Sequence, residues 1–260
     1  MTGQPHAHSS DRLAVVTGTT SGVGLAVARL LLDRGWDVLG IARRPAEIID
    51  AAYEHVQLDL HDIEALAERF EPRLTTLLRN GPARRIGLVN NAADPALLGP
   101  IAHLDARRLP GVFITNTVAP VWLMGAIVRH APPAGAVRIV NVSTGAAVAA
   151  FPGLCAYGAS KAALRMAGIV FSVELESATE PALRNRDVAI LSYEPGTVDT
   201  PMQALARSQS ADILPSRDLF VRFAAEGRLV SPEAPAGEIV AFLEGNTRQR
   251  FTERRLGVST

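Results

Sequence analysis

Tyr157 and Lys161 stand four residues apart in the run Tyr157-Gly158-Ala159-Ser160-Lys161, and Thr144 lies thirteen residues before the tyrosine. The residues that follow, including Leu164, Met166, Ala167, Ile169, Val170 and Phe171, have the composition of a well-packed helix. Positions i and i+4 share one helical face, so a phenol and an ammonium placed there can act as a unit. A neighbouring positive charge favours phenolate and lowers a phenol pKa from its ordinary value of about 10. Such a tyrosine is expected to exchange a proton with an oxygen near neutral pH. The spacing alone is common on surface helices, so its meaning rests on the elements around it.

Those elements alternate between strand and helix across residues 11–245, which predicts an α/β fold: one doubly wound Rossmann-type domain with a mostly parallel sheet and helices on both faces. A short apolar strand over 13–16 leads into Thr17-Gly18-Thr19-Thr20-Ser21-Gly22-Val23-Gly24 and then a helical pattern. Strand, glycine turn and helix together present backbone N–H groups and a helix N-terminus to a pyrophosphate. The next strand, 36–42, ends at Arg43-Arg44 and not at a carboxylate. Arginine at that point suits a 2′-phosphate, so NADP(H) is favoured over NAD(H), with Arg43 the contact and Arg44 the one read as merely exposed. A third strand at 56–58 closes on Asp59, which either meets an adenine amino group or caps the following helix. That helix covers 62–79, with Pro72 expected to kink or break it. A fourth strand, 86–90, runs into Asn90-Asn91-Ala92-Ala93, a tip expected to line the cofactor through Asn90 and Ala92. Residues 111–129 are expected to form a buried helix despite Pro120. Asn116 within it needs hydrogen-bond partners. A fifth strand at 136–142 delivers Ser143 and Thr144, and a sixth at 188–193 ends in Glu194-Pro195-Gly196-Thr197-Val198-Asp199-Thr200-Pro201-Met202. Residues 203–228 are a candidate substrate lid. The last helix, 231–243, is expected to be capped by Ser231 with Pro232 at its first position.

Composition narrows the function. Twenty-six basic and 26 acidic residues cancel, so neither a nucleic-acid footprint nor an anionic-membrane surface is indicated. The single cysteine, Cys155, excludes an internal disulfide and a multi-cysteine metal site; it is read as packing beside the tyrosine. No metal site is expected. No apolar run is expected to reach the length needed to span a bilayer, and the first residues lack a basic segment followed by an apolar one, so a cytoplasmic protein is expected. Residues 1–10 are read as a disordered tail, in which His6 and His8 carry no assigned role, ahead of one catalytic domain over 11–260.

Taken together, T-G-x-x-x-G-x-G at 17–24, N-N-A at 90–92, an interior Asn116, Thr144, Y-x-x-x-K at 157–161 and P-G-x-x-x-T-x-M at 195–202 occur in the order found in short-chain dehydrogenases/reductases. The chain resembles that family over almost its whole length. Each motif is weak or moderate alone; the ordered set is specific. Within the family it most resembles the sepiapterin reductase and benzil reductase group, through R-I-V-N-V-S-T-G-A-A at 138–147, E-P-G-T-V-D-T-P-M-Q at 194–203 and L-F-V-R-F-A-A-E-G-R-L-V-S-P-E at 219–233.

The resemblance implies roles. Tyr157 would be the general acid and Lys161 would hold the nicotinamide ribose and lower the tyrosine pKa. Thr144 would orient the substrate carbonyl, and Asn116 would help hold a water that resupplies protons to Lys161. Gly18, Thr20, Ser21, Gly22, Val23 and Gly24 would form the pyrophosphate turn, Arg43 would meet the 2′-phosphate and Asp59 the adenine. Asn90 and Ala92 would line the cofactor, and Pro195, Gly196, Val198 and Thr200 would meet the nicotinamide and phosphates. It also implies a homodimer or homotetramer through the helices at 111–129 and 157–178.

Three positions depart from the family pattern. Thr144 replaces serine and adds a methyl that restricts χ1. Ala93 replaces a glycine. The C-terminal tail lacks an acidic residue of the kind that anchors a pterin, which favours an apolar or aromatic ketone or diketone, with Phe151, Leu154, Met202 and Phe220 as candidate walls. The expected activity is NADPH-dependent reduction of a small-molecule carbonyl substrate. Two alternatives stand beside it: an NAD(P)-dependent alcohol dehydrogenase working oxidatively, and a dinucleotide-binding regulator or scaffold with weak chemistry.

Overall fold

The strand tips that carry the motifs are brought side by side by one seven-stranded parallel sheet. The computed structural model describes residues 10–95 and 97–258, so the histidines of the expected N-terminal tail lie outside the described residues. The strands are β1 (Arg12–Thr17), β2 (Asp37–Ala42), β3 (Tyr53–Gln57), β4 (Arg85–Asn90), β5 (Ala136–Val142), β6 (Val188–Glu194) and β7 (Phe251–Arg255). Their spatial order is β3-β2-β1-β4-β5-β6-β7, and every pairing is parallel. Strand order reverses between β1 and β4, so the two tips there diverge and leave a crevice at the carboxyl edge.

Both faces of the sheet are covered, which is why β1, β2, β4, β5 and β6 read as nearly continuous apolar runs. One core packs Leu39, Leu88, Ile139 and Ile190 under the helices of residues 63–80, 109–130 and Cys155–Ser177. The other packs Val16, Val38, Val89 and Leu191 under Gly22–Asp33 and Glu233–Glu244.

Pro72 does not break its helix. The α-helical segments Ile63–Ala65 and Glu71–Asn80 are joined by a π-helical turn, Leu66–Phe70. The amide of Glu71, just before the proline, bonds to the carbonyl five residues back, Leu66. A proline lacks an N–H and crowds the carbonyl four before it; a widened turn moves that carbonyl aside and leaves no donor wanting. The same device recurs at Pro120, where Leu109–Phe113, the π turn Ile114–Val118 and Ala119–His130 make one helix with Ala119 N–H on Ile114 C=O. This continuous 22-residue helix is long and apolar enough to cross a membrane, which corrects the expectation that no segment is. Half of its most apolar stretch is buried inside the fold, with Leu123, Met124 and Ile127 in the core.

Other boundaries shift for local reasons. β3 begins at Tyr53, earlier than expected, because it pairs from Val38 onward with β2. The last helix starts at Glu233; Pro232 occupies the cap position, and Ser231 accepts the Ala234 amide through its backbone carbonyl, not its hydroxyl. β7, a final strand that the polar tail FTERRLGVST signals only weakly, is a half-exposed edge strand held by β6.

Candidate active site

At the carboxyl edge of the sheet lies a cavity of about 700 Å³ lined by residues from every strand tip from β1 to β6. At one end is the glycine turn. Gly18 and Gly22 adopt φ of +76° and +56°, a backbone region that side chains rarely enter. Gly18, Thr20, Ser21, Gly22 and Val23 line the cavity. Gly24 does not; its part is close approach, because a Cβ there would sit 2.3 Å from the Gly18 carbonyl oxygen. The helix that begins at Gly22 has no side-chain cap bond and no acidic residue in its first turn. Its N-terminal N–H groups are thus available to an anion, and the turn fits a pyrophosphate.

Arg43 and Arg44 both border the cavity and both are exposed. Asp59 lies there too, its carboxylate accepting the His61 amide at 3.0 Å. The helix cap beyond it is Asp62, which accepts from Ala65 at 2.9 Å. Ala92 lines the cavity, whereas Asn90 points the other way. The Asn90 side chain is buried and donates to Asn141 Oδ1 at 2.9 Å and to the Pro120 carbonyl at 3.5 Å. Asn91 is the amide that faces the site, and it donates to the Thr17 carbonyl at 2.9 Å, tying the tip of β4 to that of β1. The period-2 alternation of a strand, carried one residue past its end, separates the two asparagines.

In the middle, Thr144, Tyr157 and Lys161 line one stretch of wall. Gly158 makes this possible: a Cβ there would meet the Ala146 carbonyl oxygen at 2.7 Å, so the helix Cys155–Ser177 can seat on the turn Gly145–Ala147. Lys161 is almost fully buried and donates to the carbonyl of Val142, the last residue of β5, at 2.7 Å. It is also the only lysine in the sequence. Thr144 caps the 145–147 turn, its Oγ1 accepting the Ala146 amide at 3.3 Å, which leaves its hydroxyl proton free to donate outward.

The electrostatics differ from the expectation drawn from spacing. Burial pushes the Tyr157 phenol up to about 12 and the Lys161 ammonium down to about 8. Removal from water disfavours both charged forms, and in the protein alone that outweighs the attraction of ammonium for phenolate. Tyr157 is therefore held as a neutral acid.

Asn116 sits in the π turn, fully buried, and does not line the cavity. Its Oδ1 accepts the Asp94 amide at 2.6 Å, and its Nδ2 donates to the Asp94 carbonyl at 3.1 Å and to Ser160 Oγ at 3.0 Å. Ser160 in turn donates to the Tyr157 carbonyl at 2.8 Å. Asn116 thus clamps the loop after β4 to the helical turn that carries Tyr157 and Lys161.

Pro195, Gly196, Val198 and Thr200 line the far side, with the Thr200 methyl 3.0 Å from where a Gly22 Cβ would stand. Phe151, Leu154, Met202 and Phe220 form walls, joined by Leu205, Leu219 and Phe223, with Phe220 and Phe223 packing edge to face. Cys155 is exposed, not packed. The residues missed from sequence are mainly those with no motif around them: His61, Phe223, and Arg255 of β7, which pairs with Glu194 at 3.4 Å.

A parallel sheet with reversed strand order, a glycine turn over a helix N-terminus, and a tyrosine–lysine pair on one cavity wall define an oxidoreductase of the short-chain dehydrogenase class. Residues 12–211 match the short chain dehydrogenase family, and the chain belongs to it. Among its relatives is the benzil reductase ((S)-benzoin forming) of Bacillus subtilis, 30% identical over 236 residues, covering 90% of this chain and 94% of that one. A sepiapterin reductase from Xenopus tropicalis is 27% identical over 90% of this chain and 92% of its own. A short-chain dehydrogenase/reductase from Saccharomyces cerevisiae has the same fold, with a TM-score of 0.75 at 23% identity over 93% and 95% of the two chains.

Because Lys161 is the sole lysine, its titration can be followed alone. In isotope-labelled protein without ligand, the lysine side-chain resonance should have its midpoint near pH 8, charged below and neutral above. A midpoint near the ordinary value of about 10.4 would show a solvated ammonium.

Proposed function

We propose that this protein is an NADPH-dependent carbonyl reductase, acting in the cytoplasm on an apolar or aromatic ketone or vicinal diketone. The observation that carries the proposal is a single cavity lined by Arg43 and Arg44, by Tyr157, Thr144 and Lys161, and by the apolar walls from Phe151 to Phe223. The benzil reductase and sepiapterin reductase relatives support the reaction class. A structural neighbour described as 4-hydroxyisoleucine dehydrogenase complexed with NADH supports a nicotinamide dinucleotide in this fold. When bound, that cofactor supplies the hydride chemistry.

The chain's own residues do the rest. The glycine turn and helix N-terminus hold the pyrophosphate, and the guanidinium of Arg43 takes the 2′-phosphate. Thr144 donates its free hydroxyl proton to the substrate oxygen and orients the carbonyl. Tyr157, neutral at physiological pH, delivers a proton to the same oxygen as negative charge develops there. Lys161 supplies positive charge beside the phenol, and Asn116 fixes the turn that carries both. Met202, Leu205, Phe220 and Phe223 belong to the 203–228 region and its lead-in, and act as a lid that excludes water from the reacting carbonyl.

The exposed outer faces of the helices at 109–130 and 155–177 carry Val118, Val121, Met166, Val170 and Val173. Their burial between copies would make a homodimer or homotetramer.

Replacing Tyr157 with Phe should lower ketone-dependent NADPH oxidation roughly 10²–10⁴-fold while leaving dinucleotide affinity nearly intact; steady-state kinetics with a binding titration decide it, and unchanged turnover would sink the mechanism. Arg43→Ala should weaken NADPH binding about tenfold or more and leave NADH binding alone, as expected for loss of a charge-assisted contact. Equal effects on the two cofactors would refute the 2′-phosphate assignment. Light scattering should give two or four times the chain mass, and Val170→Glu should shift it downward; a monomer at micromolar concentration would contradict the proposed assembly.

A further inference from the structure

The glycine turn is tied to the sheet in a way that the motif does not describe. Thr19 lies within the turn, is fully buried, and is not among the residues that line the cavity. Its Oγ1 is 2.9 Å from the hydroxyl of Tyr53, and that hydroxyl is 3.2 Å from Nδ1 of His55. Tyr53 is the first residue of β3 and pairs with Val38 of β2. Its phenol must therefore pass over β2 to reach a turn that follows β1. It does so across Gly40, where a Cβ would stand 2.3 Å from the Tyr53 hydroxyl oxygen. Glycine inside a strand sacrifices stability, and its usual excuse is the close approach of another group. Here that group is the phenol. Around Thr19, Gly18 donates its backbone N–H to Ile41 of β2 at 2.8 Å and its carbonyl accepts from Asn91 Nδ2 at 3.4 Å, so the Thr19–Tyr53 bond adds a tether toward β3 to those toward β2 and β4. Thr20 and Ser21, immediately after, line the phosphate end of the cavity.

We propose that Tyr53, backed by His55 and admitted by Gly40, is a positioning residue that acts through Thr19 to hold the phosphate-binding turn in the form that receives the cofactor. The proposal rests on the reading of the turn as a dinucleotide site. It assigns Tyr53 no contact with the cofactor. Because the pyrophosphate is common to NADH and NADPH, the tie supports both to the same degree, unlike Arg43, which distinguishes them.

The test is dinucleotide binding to the purified protein by fluorescence titration, with thermal melting in parallel. Tyr53→Phe keeps the ring under Gly40 and removes only the hydroxyl. It should raise the dissociation constants for NADPH and NADH by the same factor, roughly three- to tenfold for one lost hydrogen bond, with kcat at saturating cofactor unchanged. It should also lower the melting temperature, since the Thr19 hydroxyl is left buried without a partner. The double variant Thr19→Val with Tyr53→Phe removes both hydroxyls. Its melting temperature should recover while its cofactor affinity stays weak, because a packed but untied turn is stable and no longer held. Unchanged affinity in Tyr53→Phe would overturn the proposal, as would recovery of affinity and melting together in the double variant, which would reduce the tie to a matter of stability. Wild-type protein binding neither dinucleotide would overturn the cofactor reading and this proposal with it. Wild-type protein binding NADH as tightly as NADPH would overturn only the Arg43 assignment, and the two variants would still decide the role of Tyr53.

Discussion

A single buried ammonium constrains this active site more than any other feature. Lys161 has lost nearly all contact with water, and one backbone carbonyl, that of Val142, accepts from it at 2.7 Å. Burying a charge with so few partners is costly, and the depressed pKa expresses that cost. The site tolerates it because the surrounding parts are fixed independently: β5 lies between β4 and β6, and the helix of Lys161 is clamped through Ser160 by Asn116. The bond to Val142 then sets the height of the helix over the strand tip, and with it the relation of Tyr157 to Thr144. Other cationic side chains in the protein are arginines, whose charge persists when desolvated; lysine is kept at the one place where a compact, adjustable charge is wanted.

A second theme is access by small residues. Gly24 lets the first helix settle on the turn, Gly158 lets the Tyr157 helix settle on residues 145–147, and Gly40 lets a phenol pass over a strand. In each case the nearest atom that a Cβ would meet is an oxygen: the Gly18 carbonyl, the Ala146 carbonyl and the Tyr53 hydroxyl. These glycines serve proximity more than turning, and only Gly18 and Gly22 among the glycines of the motif need positive φ. Bringing polar groups within hydrogen-bond reach in a buried edge demands both kinds.

Much of this was legible in the sequence, and the limits were physical. Strands buried on both faces announce themselves as apolar runs, and their tips therefore located Gly18, Arg43, Thr144 and Pro195 well. The apolar run carried the helix past Pro120 as observed, but local patterns set a kink or break at Pro72 and could not show the π turns that absorb both prolines, because the compensation lies in the register of the preceding carbonyls. Nor did the motif itself choose Asn91 over Asn90: the alternation of the strand separates them only once the end of β4 at Asn90 and the face it presents to the core are known. Spacing alone suggested a lowered tyrosine pKa; burial, a property of the whole fold, reversed its direction. The Thr19–Tyr53–His55 chain spans residues 34 and 36 apart from the turn and carries no periodic signal. The solitary lysine among 26 basic residues was a signal available from composition alone.

Thr144 brings these threads together. Read from sequence, a threonine in place of serine threatens the site with an extra methyl and a narrower choice of rotamers. In the fold the restriction is used. Thr144 has extended backbone geometry and caps a short turn, its oxygen committed to the Ala146 amide. A hydroxyl that has accepted one hydrogen bond in a fixed rotamer has its proton left to give, and the direction of that donation is then fixed by the backbone. The β-branch adds stiffness to a group that must aim at one oxygen, and preorganised donors lose less on binding than mobile ones. Thr144 lines the same cavity as Phe151 and Leu154. On the proposed reading, the substitution bears on which compounds fit more than on whether the hydroxyl can donate.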